Sequence, residues 1–136
     1  LALKVALAQT RAVPTMIFDE VDQGVGGAVA DMVGERLARQ AYDVAGVGPG
    51  DINRAELHDA TAYGELHQTE AMGFCPMGEG GPWAENGATR LGGKQPVNTS
   101  GGLECRGHPI GASGLAQIYG IGVQLRGEAD IDRRTA

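Results

Sequence analysis

The sequence predicts a small α/β fold in which three short strands, mostly parallel, carry packed helices. Three observations lead there. The chain has 136 residues, the size of one domain with a modest core. Short β-prone runs alternate with segments of helical period, the rhythm that sets parallel strands between helices. The 23 glycines follow no three-residue repeat, which excludes collagen, and 42% hydrophobic residues exclude simple disorder. Aromatics make up only 4%, so the core is expected to rest on Ala, Val, Leu and Ile.

The elements follow in order. Residues 1–8 read as the interior of a helix, with more chain expected upstream. Thr15, Met16, Ile17 and Phe18 predict a first buried strand that delivers Asp19, Glu20 and Asp22 at its C-terminal tip. A loop with Gly24, Gly26 and Gly27 leads into an amphipathic helix over residues 28–45. There Val29, Met32, Val33, Leu37, Ala41 and Val44 recur at helical spacing, until Gly46, Gly48, Pro49 and Gly50 stop the helix. Residues 55–59 predict a second strand and 60–72 a second helix. From Gly73 to Gly93 the density of Gly and Pro predicts a long connection without regular structure, and such a loop usually serves a site. Residues 96–100 read as a third strand, 101–109 as a loop, and 112–126 as a final helix carrying Leu115, Ile118, Tyr119, Val123 and Leu125. The charged stretch 127–136 is expected to fray.

Seventeen acidic residues outweigh eleven basic ones, for a net charge of -6, and no Lys/Arg cluster offers a face to phosphates. Nucleic acid is therefore not an expected partner. Apolar runs are too short to cross a bilayer, so no membrane association is expected and the chain reads as cytoplasmic. Cys75 and Cys105 read as reduced thiols rather than a disulfide framework. Neither they nor His58, His67 and His108 have zinc-site spacing, so no metal is expected.

Two family resemblances cover different stretches. Residues 1–39, with Ile17-Phe18-Asp19-Glu20-Val21-Asp22-Gln23-Gly24 at their centre, resemble the Walker B and D-loop region of RecN-type DNA-repair ATPases. The resemblance implies that Asp19 supports Mg²⁺ and Glu20 polarises the attacking water. No G-x-x-x-x-G-K-[ST] run occurs, so these two carboxylates are expected to be a remnant of a nucleotide site, without ATP hydrolysis.

From about residue 41 to 130 the chain resembles the C-terminal part of the thiolase superfamily, in particular sterol-carrier-protein-type thiolases and acetyl-CoA acetyltransferase-like relatives. The motifs are His58-Asp59-Ala60-Thr61-Ala62-Tyr63, where biosynthetic thiolases carry N-E-A-F, and Asn98-Thr99-Ser100-Gly101-Gly102 followed by Gly107-His108-Pro109-Ile110-Gly111-Ala112-Ser113-Gly114. The resemblance implies an acyltransferase working on coenzyme A thioesters, with the thioester as substrate and no further cofactor. Such chemistry needs a thiolate nucleophile, donors for the thioester oxygen and an acid/base for the α-proton. His108 would activate the nucleophile and donate to the thioester oxygen. His58 would take the place of the Asn that orients an oxyanion-hole water. Asn98, Gly107, Gly111 and Gly114 would bind substrate, the glycines by letting the backbone come close.

Neither Cys75 nor Cys105 stands in a cysteine motif of that family. The expected unit is thus a half-site, inactive alone, that a homo-oligomer or partner subunit would complete. The expected organisation is a RecN-like strand and helix over residues 1–39 joined to a partial thiolase C-terminal domain over 40–136. The alternatives are a RecN-type ATPase fragment without a P-loop, or a structural chimera with no activity.

Overall fold

The computed structural model describes residues 28–129, with side chains from residue 34 onward. The predicted strand at 15–18, with Asp19 and Glu20 at its tip, lies outside the described residues. So does the end of the chain beyond residue 129.

The elements are helical: α1 (Ala28–Ala45), a 3-10 turn (Pro49–Asp51), α2 (Ala62–Ala71), α3 (Gly80–Glu85), α4 (Gly102–Arg106) and α5 (Ser113–Leu125). The first helix has the bounds that its apolar period predicts. It ends where Gly46 takes the left-handed conformation, φ 68, and Pro49 opens the 3-10 turn. That turn is closed by the Asp51 carboxylate, which accepts the Gly48 amide at 2.7 Å. Ala38, Ala41 and Tyr42, spaced i, i+3 and i+4, form the buried stripe of α1.

Against that stripe pack Ile52, Ala55, Leu57, Met72, Phe74 and Val97. Small residues bring α1 and α2 close, since a Cβ on Gly34 would sit 3.7 Å from that of Ala71. Tyr42 spans the core and donates its hydroxyl to the Met72 carbonyl at 2.8 Å. Buried Gln95 crosses in the other direction, giving its amide to the carbonyls of Pro49 and Ile52 at 2.7 and 3.1 Å. Such paired polar groups hold loops inside a core without leaving an unmet donor.

The three-stranded sheet is not found among the described residues. Among the described residues the extended segments meet at a single parallel bridge, Ala55 with Val97. The Ala55 amide donates to Pro96 O at 3.0 Å and the Asn98 amide to Ala55 O at 2.8 Å, and the ladder stops. Its continuation is taken over by side chains. The Leu57 amide goes to Asn98 Oδ1 at 2.8 Å, and both backbone groups of His58 go to the Gln68 amide. Pro96 has no N–H to give, and Asn98 at φ 52 bends the third segment out of an extended course.

Two further corrections concern helices inside predicted loops. The long Gly/Pro-rich connection contains α3, whose Gly80 amide donates to Glu70 Oε1 at 2.8 Å and locks it to α2. Lys94 lies 4.7 Å from the Trp83 ring on that helix, a cation–π contact. The loop at 101–109 contains α4, one turn of helix between Gly101 and Gly107, both at positive φ.

Candidate active site

Three connected segments build the site: residues 56–59, the turn at 98–102 with α4, and the His108 loop with the start of α5. Each is tied to the others by hydrogen bonds from buried polar groups. Glu56 is fully buried and accepts the Ser100 amide at 2.9 Å, the Ser100 hydroxyl at 2.5 Å and the Thr99 hydroxyl at 3.4 Å. Arg106 on α4 brings its guanidinium within 3.8 Å of the same carboxylate. Burial raises the Glu56 carboxyl above its usual range, while the Ser100, Arg106 and Thr99 contacts pull it back.

Asp59, also buried, accepts the Leu103 amide at 2.7 Å and so holds the first turn of α4. Gly102 has φ 64, and a Cβ there would overlap the Asp59 carboxylate. Asn98 bridges two segments, since its Oδ1 takes the Leu57 amide while its Nδ2 donates to Glu65 Oε2 on α2 at 2.6 Å. Burial is the largest cause that raises the Glu65 carboxyl; the Asn98 bond lowers it, and Asp59, Glu104 and Glu56 nearby add to the rise.

His58 is held by its own backbone. Gln68, one turn from the end of α2, accepts the His58 amide at 3.0 Å through Oε1 and donates to the His58 carbonyl at 2.6 Å through Nε2. The side-chain amide thus imitates a strand neighbour. From the far side, Gln117 of α5 donates to the Leu57 carbonyl at 2.7 Å. His108 is exposed, and its Nδ1 lies 2.8 Å from the hydroxyl of buried Ser113. The two imidazoles meet edge to face, with ring centroids 4.7 Å apart and planes at 90°.

The predicted pair His58 and His108 therefore comes together, with Asn98 bonded to Leu57, the residue before His58. Gly107 and Gly111 sit at φ 80 and 85 with open space where a Cβ would go. Their backbone conformation, rather than a crowded neighbour, is what requires glycine. Gly114 lies in the first turn of α5. Cys105 is exposed at the end of α4 and Cys75 is buried under α1 and α2, neither in a disulfide; burial also raises the Cys75 thiol. His67 stacks on Tyr63 of the same helix with centroids 5.8 Å apart. Among the described residues no group of His, Cys, Asp and Glu could hold a metal ion, and no helix is long and apolar enough to cross a membrane.

Glu56, Glu65, Gln68 and Ser113 are functional neighbours that sequence reasoning did not single out. Ser113 lies within the His108 motif and could have been found there. Glu56, Glu65 and Gln68 carry no local signal, because their partners lie across the fold.

The geometry is that of a histidine pair, His58 at the end of an extended segment and His108 on a Gly-rich loop, over a helical core, and comparison with known proteins assigns its class. Residues 28–135 match the thiolase C-terminal domain-like family, and the chain belongs to it. It is 46% identical over 106 residues to sterol carrier protein 2 of Rattus norvegicus, covering 75% of this chain and 19% of that protein. It is 49% identical over 92 residues to an acetyl-CoA acetyltransferase of Methanothermobacter thermautotrophicus, covering 68% and 24%. With the benzoylsuccinyl-CoA thiolase subunit BbsB of Thauera aromatica it shares 45% over 98 residues, covering 72% and 26%. The chain thus spans about a fifth to a quarter of the length of these relatives.

Proposed function

We propose that this chain carries the histidine half of an acyl-CoA acyltransferase site of the acetyl-CoA acetyltransferase kind, and that it is inactive alone. The observation that carries this reading is His58 set edge-on to His108 at 4.7 Å, each on a separately anchored segment. Two imidazoles in one place supply what thioester chemistry asks of this part of a site: a base for a thiol or α-proton, and N–H donors for the thioester oxygen. The nucleophilic thiolate comes from outside these 136 residues, since a second copy of them would bring the same two cysteines. Neither cysteine here suits the role, since Cys75 is buried and both stand outside the family's cysteine motifs. Acyl-CoA as substrate is supported by the names of the acetyltransferase and thiolase relatives. In this reading the protein works in the cytoplasm, where two unpaired cysteines stay reduced.

The division of the chain at residues 39 and 40 belongs to the same proposal, with the RecN-like stretch contributing no chemistry because no phosphate cradle accompanies Asp19 and Glu20. A flat titration with Mg-ATP is expected; heat of binding would contradict it. The acyltransferase reading is tested by grafting residues 28–129 into the corresponding place of the Methanothermobacter acetyltransferase. The graft is expected to retain thiolysis of acetoacetyl-CoA and to lose at least about a hundredfold in kcat with His108→Ala, the usual scale of general acid–base catalysis. A folded graft without thiolysis would overturn the reading. Turnover by the chain alone, abolished by His108→Ala, would overturn its inactivity.

A further inference from the structure

On the reading of His58 as a site residue, we infer that Gln68 is its positioning residue: one side-chain amide holds both backbone groups of His58 and so sets the direction from which that imidazole meets His108. Gln68 Oε1 accepts the His58 amide at 3.0 Å, and Gln68 Nε2 donates to the His58 carbonyl at 2.6 Å. Nε2 also donates to the Gly64 carbonyl, one turn back on α2, at 3.1 Å. The roles are fixed by chemistry, since a backbone N–H only donates and a backbone carbonyl only accepts. The amide therefore has one orientation, because turning it over would set oxygen against oxygen and N–H against N–H.

In an antiparallel ladder a residue exchanges both of its backbone bonds with one opposite residue, and that exchange fixes where its side chain stands. Here the only bridge among the described residues is at Ala55, before His58 is reached. Leu57 is held on its own account, its amide by Asn98 and its carbonyl by Gln117. Neither of those bonds holds the N–H and C=O that flank the Cα of His58, and Gln68 takes both. The helix comes close enough for this because residue 64 is glycine: a Cβ there would already touch His58 O at 3.5 Å and Gln68 Nε2 at 3.8 Å. Reach and polarity both call for Gln. Asn is a methylene shorter, and an ionised Glu has no hydrogen for the His58 carbonyl, so it would set two acceptors face to face.

Nuclear magnetic resonance on the isotopically labelled 136-residue chain, at a pH where histidine is neutral, tests this through two readouts: solvent exchange of the His58 amide and the Overhauser contact between the His58 and His108 rings. The unsubstituted chain is expected to show a protected His58 amide and a ring-to-ring contact. In Gln68→Met, which keeps the length and removes the hydrogen bonds, protection of that amide falls by about tenfold, the scale of one hydrogen bond, and the ring contact is lost while the α2 amides stay protected. Gln68→Glu loses the ring contact as well. A role confined to holding α2 would lower the protection of the helix and leave the ring contact in place. A ring contact retained in a folded Gln68→Met would overturn the inference, and so would a His58 amide that exchanges as in an unfolded peptide in the unsubstituted chain. If neither variant folds, the unsubstituted chain decides through the Gln68 side-chain amide, whose hydrogens are expected to be protected; free exchange of them would overturn the clamp. The spectra need no turnover, so a failed clamp and a failed graft are told apart.

Discussion

Gly102 shows how narrowly the site is built. Its φ of 64 is a conformation that costs an L-residue about 1–2 kcal/mol, and a Cβ would also press into the Asp59 carboxylate, which holds α4 by the Leu103 amide. Gly102→Ala is therefore expected to destabilise the chain by roughly 2–4 kcal/mol in urea unfolding, strain and overlap adding together. Glu56 and Glu65 make the site pH-dependent in a definite direction. Both carboxyls sit above the ordinary value of 4.5 in the folded chain, chiefly through burial, so the folded state holds more protons than the unfolded one over the interval between. Their contribution to stability is complete below the ordinary range and is lost as pH rises through the raised values. The melting temperature is thus expected to climb as pH falls from neutral toward 4.5, with part of that slope removed by Glu65→Gln. A Gln there still accepts from Asn98 but does not titrate. A melting temperature that falls over the same interval in the unsubstituted chain, with the slope unaltered by the substitution, would contradict this account.

At the scale of elements, α2 matters most to the site because it presents Gln68 to His58 and Glu65 to Asn98. Its start is marked by Thr61, whose Oγ1 accepts the Gly64 amide at 3.0 Å. Thr61→Ala is expected to cost about 1 kcal/mol of stability by denaturant titration, the usual loss for an N-cap. The helices α1, α2 and α5 were legible in the sequence to within two residues, because apolar period and breaker residues are local signals. The short helices α3 and α4 were not. Six and five residues long, they carry too little period to read, and each is held by a distant partner: Glu70 for α3, Asp59 for α4. The second and third predicted strands failed for a related reason. Residues 55–59 and 96–100 are β-prone, but whether such a run joins a ladder depends on what satisfies its backbone, and here Asn98 and Gln68 do so with side chains.

Over the whole molecule, α5 turns its face opposite to the simplest expectation. Ser113, Gln117 and Ile121 point inward, while Leu115, Ile118, Tyr119 and Leu125 are exposed. Two of the inward positions are polar because they serve the site: Ser113 meets His108 and Gln117 holds Leu57. Gly120 lies against Ser100, where a Cβ would come to 3.2 Å. Since Ile118 and Tyr119 are 44% and 69% exposed, replacing both with Glu and Lys is expected to change stability by less than about 1 kcal/mol and to raise solubility. A loss of several kcal/mol in thermal unfolding would show that this face is packed in solution.

The motifs around His58 and His108 pointed to their family and to the pair that meets in the fold. They could do so because a histidine between glycines, opening a helix, is a signal carried within a few residues. The tertiary structure alone decided that, among the described residues, the predicted strands meet in one bridge, that α5 buries Ser113 and Gln117, and which groups anchor the histidines. Those outcomes depend on the competition among donors and acceptors far apart in sequence, and that competition is resolved only when Glu56, Asn98, Gln68 and Ser113 reach their partners.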